Sequence, residues 1–322
     1  MRRCPAARLT ALLLAGTVLV SSFPASATII DDRYKPYRAV SDVTGDLRIE
    51  GSPALRKYVL LWSEALMATY KGVRAASRFD GDAPAAAALT DGDIDIAAMS
   101  REMNSAEEGR FRDAHGYAPT EVRVGVDVLT VFVNKDNPLD CLPMSKLRDA
   151  FSAPSVTWGD LGATGNWAAK PVLRLGYRPG SSEAGFFAAK VMDGQSFASD
   201  MKTFDKSSEV VDRIGKDEGA IGYAPVGYRT GREKSLRLST DDGKCILANQ
   251  MNAYRRDFPI TRFLYMYVDK APDTPLSPPV REFFTYAFSL DGQKDAALAG
   301  YYPLPYVYSG QEIERLGLKR LD

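Results

Sequence analysis

The sequence predicts an α/β fold that is divided into two lobes. Short apolar, strand-like runs alternate along the chain with segments whose apolar residues recur at helical spacing. The chain has 322 residues, and two lobes suit this length because a single hydrophobic core stops growing near this size. We expect the long apolar strand at residues 122–134 to cross from one lobe to the other.

The individual elements follow from local patterns. Apolar runs bounded by Gly, Ser, Asn or Pro predict strands. These runs are residues 47–50, 93–99, 122–134, 172–176, 219–223 and 263–268. Helical spacing or a helix-start signal predicts helices. These segments are residues 54–70, 83–88, 106–115, 145–151, 184–192, 208–216 and 279–289. Residues 300–305 are rich in aromatic residues and proline, which indicates packed coil.

The N-terminal stretch has the pattern of a secretory signal peptide. Arg2 and Arg3 precede an apolar run at residues 9–20, and Ala25 and Ala27 frame a small-residue cleavage site. A membrane anchor is the alternative, but the run is shorter than the roughly 20 residues that span a bilayer. We expect cleavage after Ala27 and a free protein outside the cytoplasm.

The balance of charges and the number of cysteines limit the classes of binding partner and bear on the redox state of the compartment. Lys plus Arg and Asp plus Glu number 41 each, so the usual electrostatic argument for nucleic-acid or membrane-surface binding is missing. Cleavage leaves two cysteines, Cys141 and Cys245. They could form a disulfide in an oxidising compartment or stay reduced, and the sequence leaves both alternatives open.

The residues needed for common catalytic and metal sites are scarce. The chain has one histidine, His115, so a Ser-His-Asp triad or a usual zinc site has little to draw on. The sequence contains no GxxxxGK[ST] phosphate loop, and no GxGxxG follows a strand. We therefore expect neither an enzyme nor a cofactor or metal.

Small hydroxyl residues recur where a predicted strand meets a helix. Helix N-termini carry unpaired N–H groups and a partial positive charge, so several of them together can hold an oxyanion without net protein charge. Each serine alone is better explained as a helix cap than as a binding residue, and only the combination points to a site. The three junctions are at Ser52, at Ser100, and at Ser181 with Ser182.

Seven motifs in this order resemble the phosphate-binding component of bacterial ABC phosphate transporters, within the type II periplasmic-binding-protein family. The similarity runs from about residue 47 to about residue 305. The motifs are GSPAL at 51–55, GDIDIAAMSR at 92–101, VFVNKDNPL at 131–139, WGDLG at 158–162, SSE at 181–183, GAIGY at 219–223 and FPITR at 258–262.

This resemblance implies two α/β lobes joined by two crossover strands, with a ligand cleft between them. Lobe 1 would comprise residues 28–129 and 253–322, and lobe 2 would comprise residues 130–252. The implied ligand is inorganic phosphate or a similar oxyanion, and the implied partner is an ABC permease in the membrane. A periplasmic monomer that binds no nucleic acid is expected.

The resemblance also implies a set of binding residues. The first turn offers the Ser52 hydroxyl and the amides of Ala54 and Leu55, whereas Pro53 has no N–H to donate. The other implied ligand-binding positions are Asp82, Ser100, Arg101, Arg178, Ser181, Ser182 and Glu183.

Two of these positions depart from the family pattern, since Asp82 and Glu183 are carboxylates where hydroxyl groups are expected. A carboxylate can accept a hydrogen bond from protonated phosphate, and it selects against sulfate, which carries no proton. Arg101 or Arg178 could offset one negative charge. Two alternatives stay open: either carboxylate points to solvent, or the chain binds another small ligand or a protein partner in sensing, without phosphate transport.

Overall fold

The structure is a computed structural model that describes residues 28–40, 42–240 and 243–321. The predicted export signal at residues 1–27 lies outside these ranges. Over the described ranges, every helix is too short or too polar to cross a bilayer.

The structure contains both short and long strands, as expected for a divided α/β fold. They are β1 (Thr44–Gly51), β2 (Gly72–Arg78), β3 (Ile96–Met99), β4 (Thr120–Asn134), β5 (Cys141–Pro143), β6 (Leu173–Tyr177), β7 (Lys202–Phe204), β8 (Ala220–Pro225), β9 (Glu233–Ser235), β10 (Arg237–Ser239), β11 (Cys245–Ile246) and β12 (Thr261–Val268).

Helices separate most of these strands. They are α1 (Arg56–Thr69), α2 (Asp82–Thr90), α3 (Ser105–His115), α4 (Met144–Ser152), α5 (Ser182–Phe187), α6 (Ser207–Lys216), α7 (Gln250–Tyr254), α8 (Pro278–Ala287), α9 (Leu290–Ala299) and α10 (Tyr306–Arg315). A 3-10 turn at Pro53–Leu55 leads into α1, and a π-helical turn at Ala188–Met192 extends α5.

The sheet order places the elements in two groups. The main sheet runs β2-β1-β3-β12-β4-β8-β6-β7, with β9 paired to β4 beside this path, and a small sheet runs β11-β10-β5. Strands β1, β2, β3 and β12 pack with α1 to α3 and α8 to α10, forming lobe 1. Strands β5 to β11 with α4 to α6 form lobe 2. The predicted two-lobed α/β fold is thus confirmed.

Strand β4 belongs to both lobes. It pairs with β12 from Thr120 to Val128 and with β8 from Leu129 to Val133. The chain returns to lobe 1 through α7 and the segment that leads to Ile260, whose carbonyl accepts a hydrogen bond from Leu129 N–H at 3.1 Å. The predicted divisions at 129/130 and 252/253 stay predictions, and this pairing change lies beside the first.

Each lobe is built around buried aromatic residues. In lobe 1, Trp62 makes an edge-to-face contact with Tyr58, with ring centroids 4.8 Å apart. In lobe 2, the Phe187 ring stacks on Tyr223 at 3.8 Å. Such contacts add to the free energy gained by removing apolar area from water. They fix α1 and α5, whose first turns border the cleft.

Several predicted boundaries move for local reasons. Residues 54 and 55 lie in the 3-10 turn, so α1 begins at Arg56. The predicted strand at 93–99 begins only at Ile96, because Asp93 N–H still bonds to the end of α2, at the Ala88 carbonyl, at 3.0 Å. The predicted helix at 279–289 ends at Ala287, and Ser289 instead caps α9 by accepting a hydrogen bond from Gly292 N–H at 3.1 Å.

The two cysteines form a disulfide. Cys141 and Cys245 are bonded with their Cα atoms 6.0 Å apart, inside the usual range for a disulfide. The bond links β5 to β11 at opposite edges of the small three-stranded sheet. Of the two alternatives that the sequence left open, the structure has the disulfide.

Candidate anion-binding site

A cleft of about 1390 Å³ opens between the lobes. Its lining includes the three strand-to-helix junctions that the sequence singled out. The predicted residues that border it are Ser52, Ala54, Asp82, Ser100, Arg101, Arg178, Ser181, Ser182 and Glu183. Leu55 is the exception, since it is fully buried and its N–H donates to the Ser52 carbonyl at 3.0 Å.

The first turn follows β1 and is held tightly against β3. Ser52 N–H donates to the Ala98 carbonyl at 2.8 Å. Gly51 permits this approach, because a Cβ at that position would lie 2.2 Å from the same carbonyl oxygen. The Ser52 hydroxyl oxygen accepts a hydrogen bond from Ala54 N–H at 3.3 Å. The Ala54 and Leu55 amides are therefore engaged within the turn, and the Ser52 hydroxyl proton is its remaining donor.

The second turn joins Ser100, after β3, to Asp82 at the start of α2. Ser100 N–H donates to Asp82 Oδ1 at 2.7 Å, and the Ser100 hydroxyl donates to Asp82 Oδ2 at 2.8 Å. Both residues border the cleft. The alternative in which Asp82 points to solvent is therefore wrong, and the carboxylate acts as a hydrogen-bond acceptor inside the site.

Arg101 is bound within lobe 1. Its guanidinium donates two hydrogen bonds to the Glu107 carboxylate, at 2.7 and 2.8 Å, and its Nε lies 4.0 Å from Asp82. Glu107 belongs to the capping box of α3, and the Arg101 guanidinium holds its pKa below the usual value. Much of the Arg101 charge is therefore used in fixing α3.

The third turn brings lobe 2 into contact with lobe 1. Ser181 caps α5 by accepting a hydrogen bond from Ala184 N–H at 3.2 Å. The Ser182 hydroxyl lies 2.8 Å from the Ser100 hydroxyl. Because Ser100 gives its only hydroxyl proton to Asp82, Ser182 is the donor in this bond. A continuous chain of hydrogen bonds thus runs from Ser182 through Ser100 to Asp82 across the cleft.

Arg178 lies at the rim of the cleft. Its Nε is 2.6 Å from Asp205 Oδ1, and its side chain is 67% exposed. An ion pair this exposed contributes little to stability and is readily exchanged. The guanidinium can therefore leave Asp205 for an incoming anion at small cost.

Glu183 places a carboxyl group from lobe 2 in the cleft. Burial raises its pKa, and the negative charges of Asp127 and Asp82 raise it further, whereas its own backbone N–H and the Arg262 guanidinium lower it. Glu183 borders the cleft and is partly exposed. The alternative in which its carboxyl group faces solvent stays open.

Arg262 is a cleft residue that the sequence analysis missed. The FPITR motif contains it, but the motif alone did not indicate a binding role. Its side chain borders the cleft. Its Nε lies 2.9 Å and its Nη2 2.8 Å from Asp127 Oδ2. The presence of Asp127 in an apolar strand could have indicated a buried cationic partner such as Arg262. A single carboxylate inside the apolar run VRVGVDVLTVFV needs a buried cation.

The side chains that border the cleft are suited to binding a ligand. Among the described residues, no group of three or more His, Cys, Asp and Glu side chains could hold a metal ion. His115 is not among the residues that border the cleft and stacks on Phe111 at 4.2 Å. What the two lobes present to the cleft is a set of hydroxyl, carboxyl and guanidinium groups. This fold and this site define a two-lobed ligand-binding protein.

The comparisons with known proteins agree with this class. Residues 36–291 match the model of the PBP superfamily domain, and the chain belongs to this superfamily. It is 34% identical to the phosphate-binding protein PstS of Pseudomonas aeruginosa, an alignment covering 97% of this chain and 100% of that protein. It is 24% identical to the phosphate-binding protein PstS of Staphylococcus saprophyticus, over 81% of each chain.

Solved structures share the fold at lower identity. A possible phosphate binding protein from Planctomyces limnophilus superposes with a TM-score of 0.70 at 22% identity, covering 86% of this chain and 99% of that one. An ABC-type phosphate transport receptor from Vibrio cholerae superposes with a TM-score of 0.65 at 17% identity, covering 80% and 100%. At these identities the structures support the fold alone.

Proposed function

We propose that this protein captures inorganic phosphate in the interlobe cleft and delivers it to an ABC permease in the membrane. The observation that carries the proposal is the hydrogen-bonded chain Ser182–Ser100–Asp82, which spans both lobes. Hydroxyl groups can rotate toward a bound anion, while a carboxylate needs a proton from the ligand. Phosphate near neutral pH supplies that proton and sulfate does not, so the site favours phosphate.

The relatives support the same ligand. Proteins from Pseudomonas aeruginosa and Staphylococcus saprophyticus, 34% and 24% identical to this chain, are both phosphate-binding proteins. The Vibrio cholerae protein that shares the fold is an ABC-type phosphate transport receptor. These relatives are binding and transport proteins, so we propose capture and release without a catalytic step.

Titration calorimetry tests the proposal directly. The mature protein, unfolded and refolded to remove carried-over ligand, should release heat with phosphate and none with sulfate. Ser181→Ala, which removes a cleft hydroxyl, should raise the phosphate Kd by about 10- to 150-fold, the equivalent of about 1.5–3 kcal/mol for a hydrogen bond to a charged group. Ser152→Ala is the matched control, because that hydroxyl donates to the Arg148 carbonyl on α4, away from the cleft.

Two results would contradict the proposal. A parent protein that gives no heat with phosphate would favour the alternative of another ligand or a protein partner. Equal affinity for phosphate and sulfate would show that Asp82 does not act as a proton-sensing acceptor.

Export and a monomeric state complete the proposal. Secretion in a Gram-negative host, followed by N-terminal sequencing of the periplasmic fraction, should find a chain that begins at Thr28. Light scattering of that fraction should give the mass of one chain. A full-length chain in the membrane fraction, or a dimer mass, would contradict these points.

A further inference from the structure

Arg262 and Asp127 lie opposite each other where the chain passes between the lobes. Arg262 is the second residue of β12, and Asp127 is its cross-strand partner on β4. The Asp127 residue is 1% exposed and the Arg262 side chain is 10% exposed. A buried ion pair of this kind fixes a guanidinium at the junction of the two lobes rather than on either rim of the cleft.

The ion pair uses only part of the guanidinium. Nε and Nη2 both contact Asp127 Oδ2. Nη1 makes no hydrogen bond to any described residue. Unlike Nη2, it is not among the buried side-chain atoms that lack a hydrogen-bond partner, so it is accessible to solvent. Because the Arg262 side chain borders the cleft, its Nη1 edge is the part that a ligand can reach.

The face of the guanidinium contacts the other lobe. The Arg262 guanidinium carbon lies 4.3 Å from the centre of the Phe186 ring. Phe186 belongs to α5, the helix that Ser181 caps and Ser182 begins. A cation over an aromatic ring is attracted by the ring's negative face. One side chain therefore combines a fixed charge, a free donor edge and a contact with the helix that carries the third turn.

We propose that Arg262 is a further anion-binding residue, which donates from Nη1 to the bound ligand and couples ligand binding to lobe closure through Phe186. This inference rests on the proposed capture of phosphate. Arg101 and Arg178 fit the role less well, since their side chains are 40% and 67% exposed and are paired with Glu107 and Asp205. A less exposed cation interacts more strongly with an anion because water screens it less.

The test compares phosphate titrations of the parent, Arg262→Gln, Arg262→Lys and Phe186→Leu at low and high salt. Arg262→Gln should raise the Kd at least about tenfold and reduce its salt dependence, because one cation is lost from the site. Arg262→Lys should restore the salt dependence but only part of the affinity, since a lysine cannot keep the forked contact with Asp127. Phe186→Leu should weaken binding with unchanged salt dependence and leave the phosphate-bound protein more extended in small-angle scattering.

A paired variant separates binding from folding. Arg262→Gln alone leaves Asp127 buried without its cation, so the double variant Arg262→Gln with Asp127→Asn removes both charges together. Circular dichroism should show that it is folded, and its phosphate affinity should fall as in the single variant. Parent-like affinity and salt dependence in the folded double variant would overturn this inference and leave phosphate capture standing. A parent that does not bind phosphate would overturn both.

Discussion

The disulfide encloses most of lobe 2, which makes its loss a sharp perturbation. Cys141 lies on β5, just after β4 enters lobe 2, and Cys245 lies on β11, shortly before α7 begins the return to lobe 1. The bond therefore ties together the two ends of the lobe. The perturbation is the double variant Cys141→Ser with Cys245→Ser, or reduction of the parent protein.

The magnitude follows from the size of the closed loop. The two cysteines are 104 residues apart in sequence. A cross-link over a loop of this length removes unfolded-state entropy worth about 4.7 kcal/mol at 25 °C, and measured losses on removal are about 2–5 kcal/mol. For a unit of this size, such a loss corresponds to a melting temperature lower by on the order of 10 °C.

Scanning calorimetry with and without reductant measures this loss. The transition of lobe 2 should move down while that of lobe 1 stays in place, because both cysteines lie in lobe 2. The double serine variant is the matched control, since reductant should leave its melting curve unchanged. If the reduced parent melted within about 2 °C of the oxidised one, the entropic reasoning would be refuted for this loop.

Three further predictions concern the cleft. Ser182→Ala removes the hydrogen bond across the cleft, so phosphate affinity should fall by about 1 kcal/mol; unchanged heats of titration would contradict this. The proton of Glu183 stabilises the fold below its ordinary pKa of 4.5, and this contribution is lost as the pH rises through the raised pKa. Glu183→Gln should therefore flatten the pH dependence of the urea midpoint above pH 4.5, and a parent-like profile would argue against a buried carboxyl. Arg101→Ala leaves Glu107 without its cation and should lower the free energy of unfolding, measured in urea, by about 1–2 kcal/mol. This is less than for a fully buried pair, because the Arg101 side chain is 40% exposed. An unchanged urea midpoint would show that α3 does not depend on the Arg101–Glu107 ion pair.

The sequence predicted the elements whose periodicity reflects burial and missed those whose burial is decided by their neighbours. Strand β2 was missed because it lies at the edge of the sheet and six of its seven residues are not buried, so it shows no apolar alternation. Helix α10 was missed because YVYSGQEIER begins with aromatic and β-branched residues, which favour strands, and its helical form depends on packing against β4. Local patterns carry no information about such contacts.

The same distinction applies to the site. The sequence could place Ser52 and Ser181 at helix starts because helix capping is local and its signature occupies a few consecutive positions. The engagement of the Leu55 amide within its own turn needed backbone geometry. The pairing of Arg262 with Asp127 joins residues 135 positions apart, and only the register of β4 against β12 makes them neighbours.

The position of Arg262 suits a fixed cation in a cleft that closes on its ligand, as proposed above. When two lobes rotate about their connections, atoms near the connections are displaced least and atoms at the rims most. Arg262 lies where β4 and β12 pair beside the passage between the lobes, whereas Arg178 lies at the rim. An anion held first by rim groups would therefore approach Arg262 as α5 closes, and the donors of Ser181 and Ser182 would arrive with that helix. The chain as a whole has no net charge, so the net charge of the protein does not attract an anion. The positions of individual arginine side chains in the cleft are what can favour one.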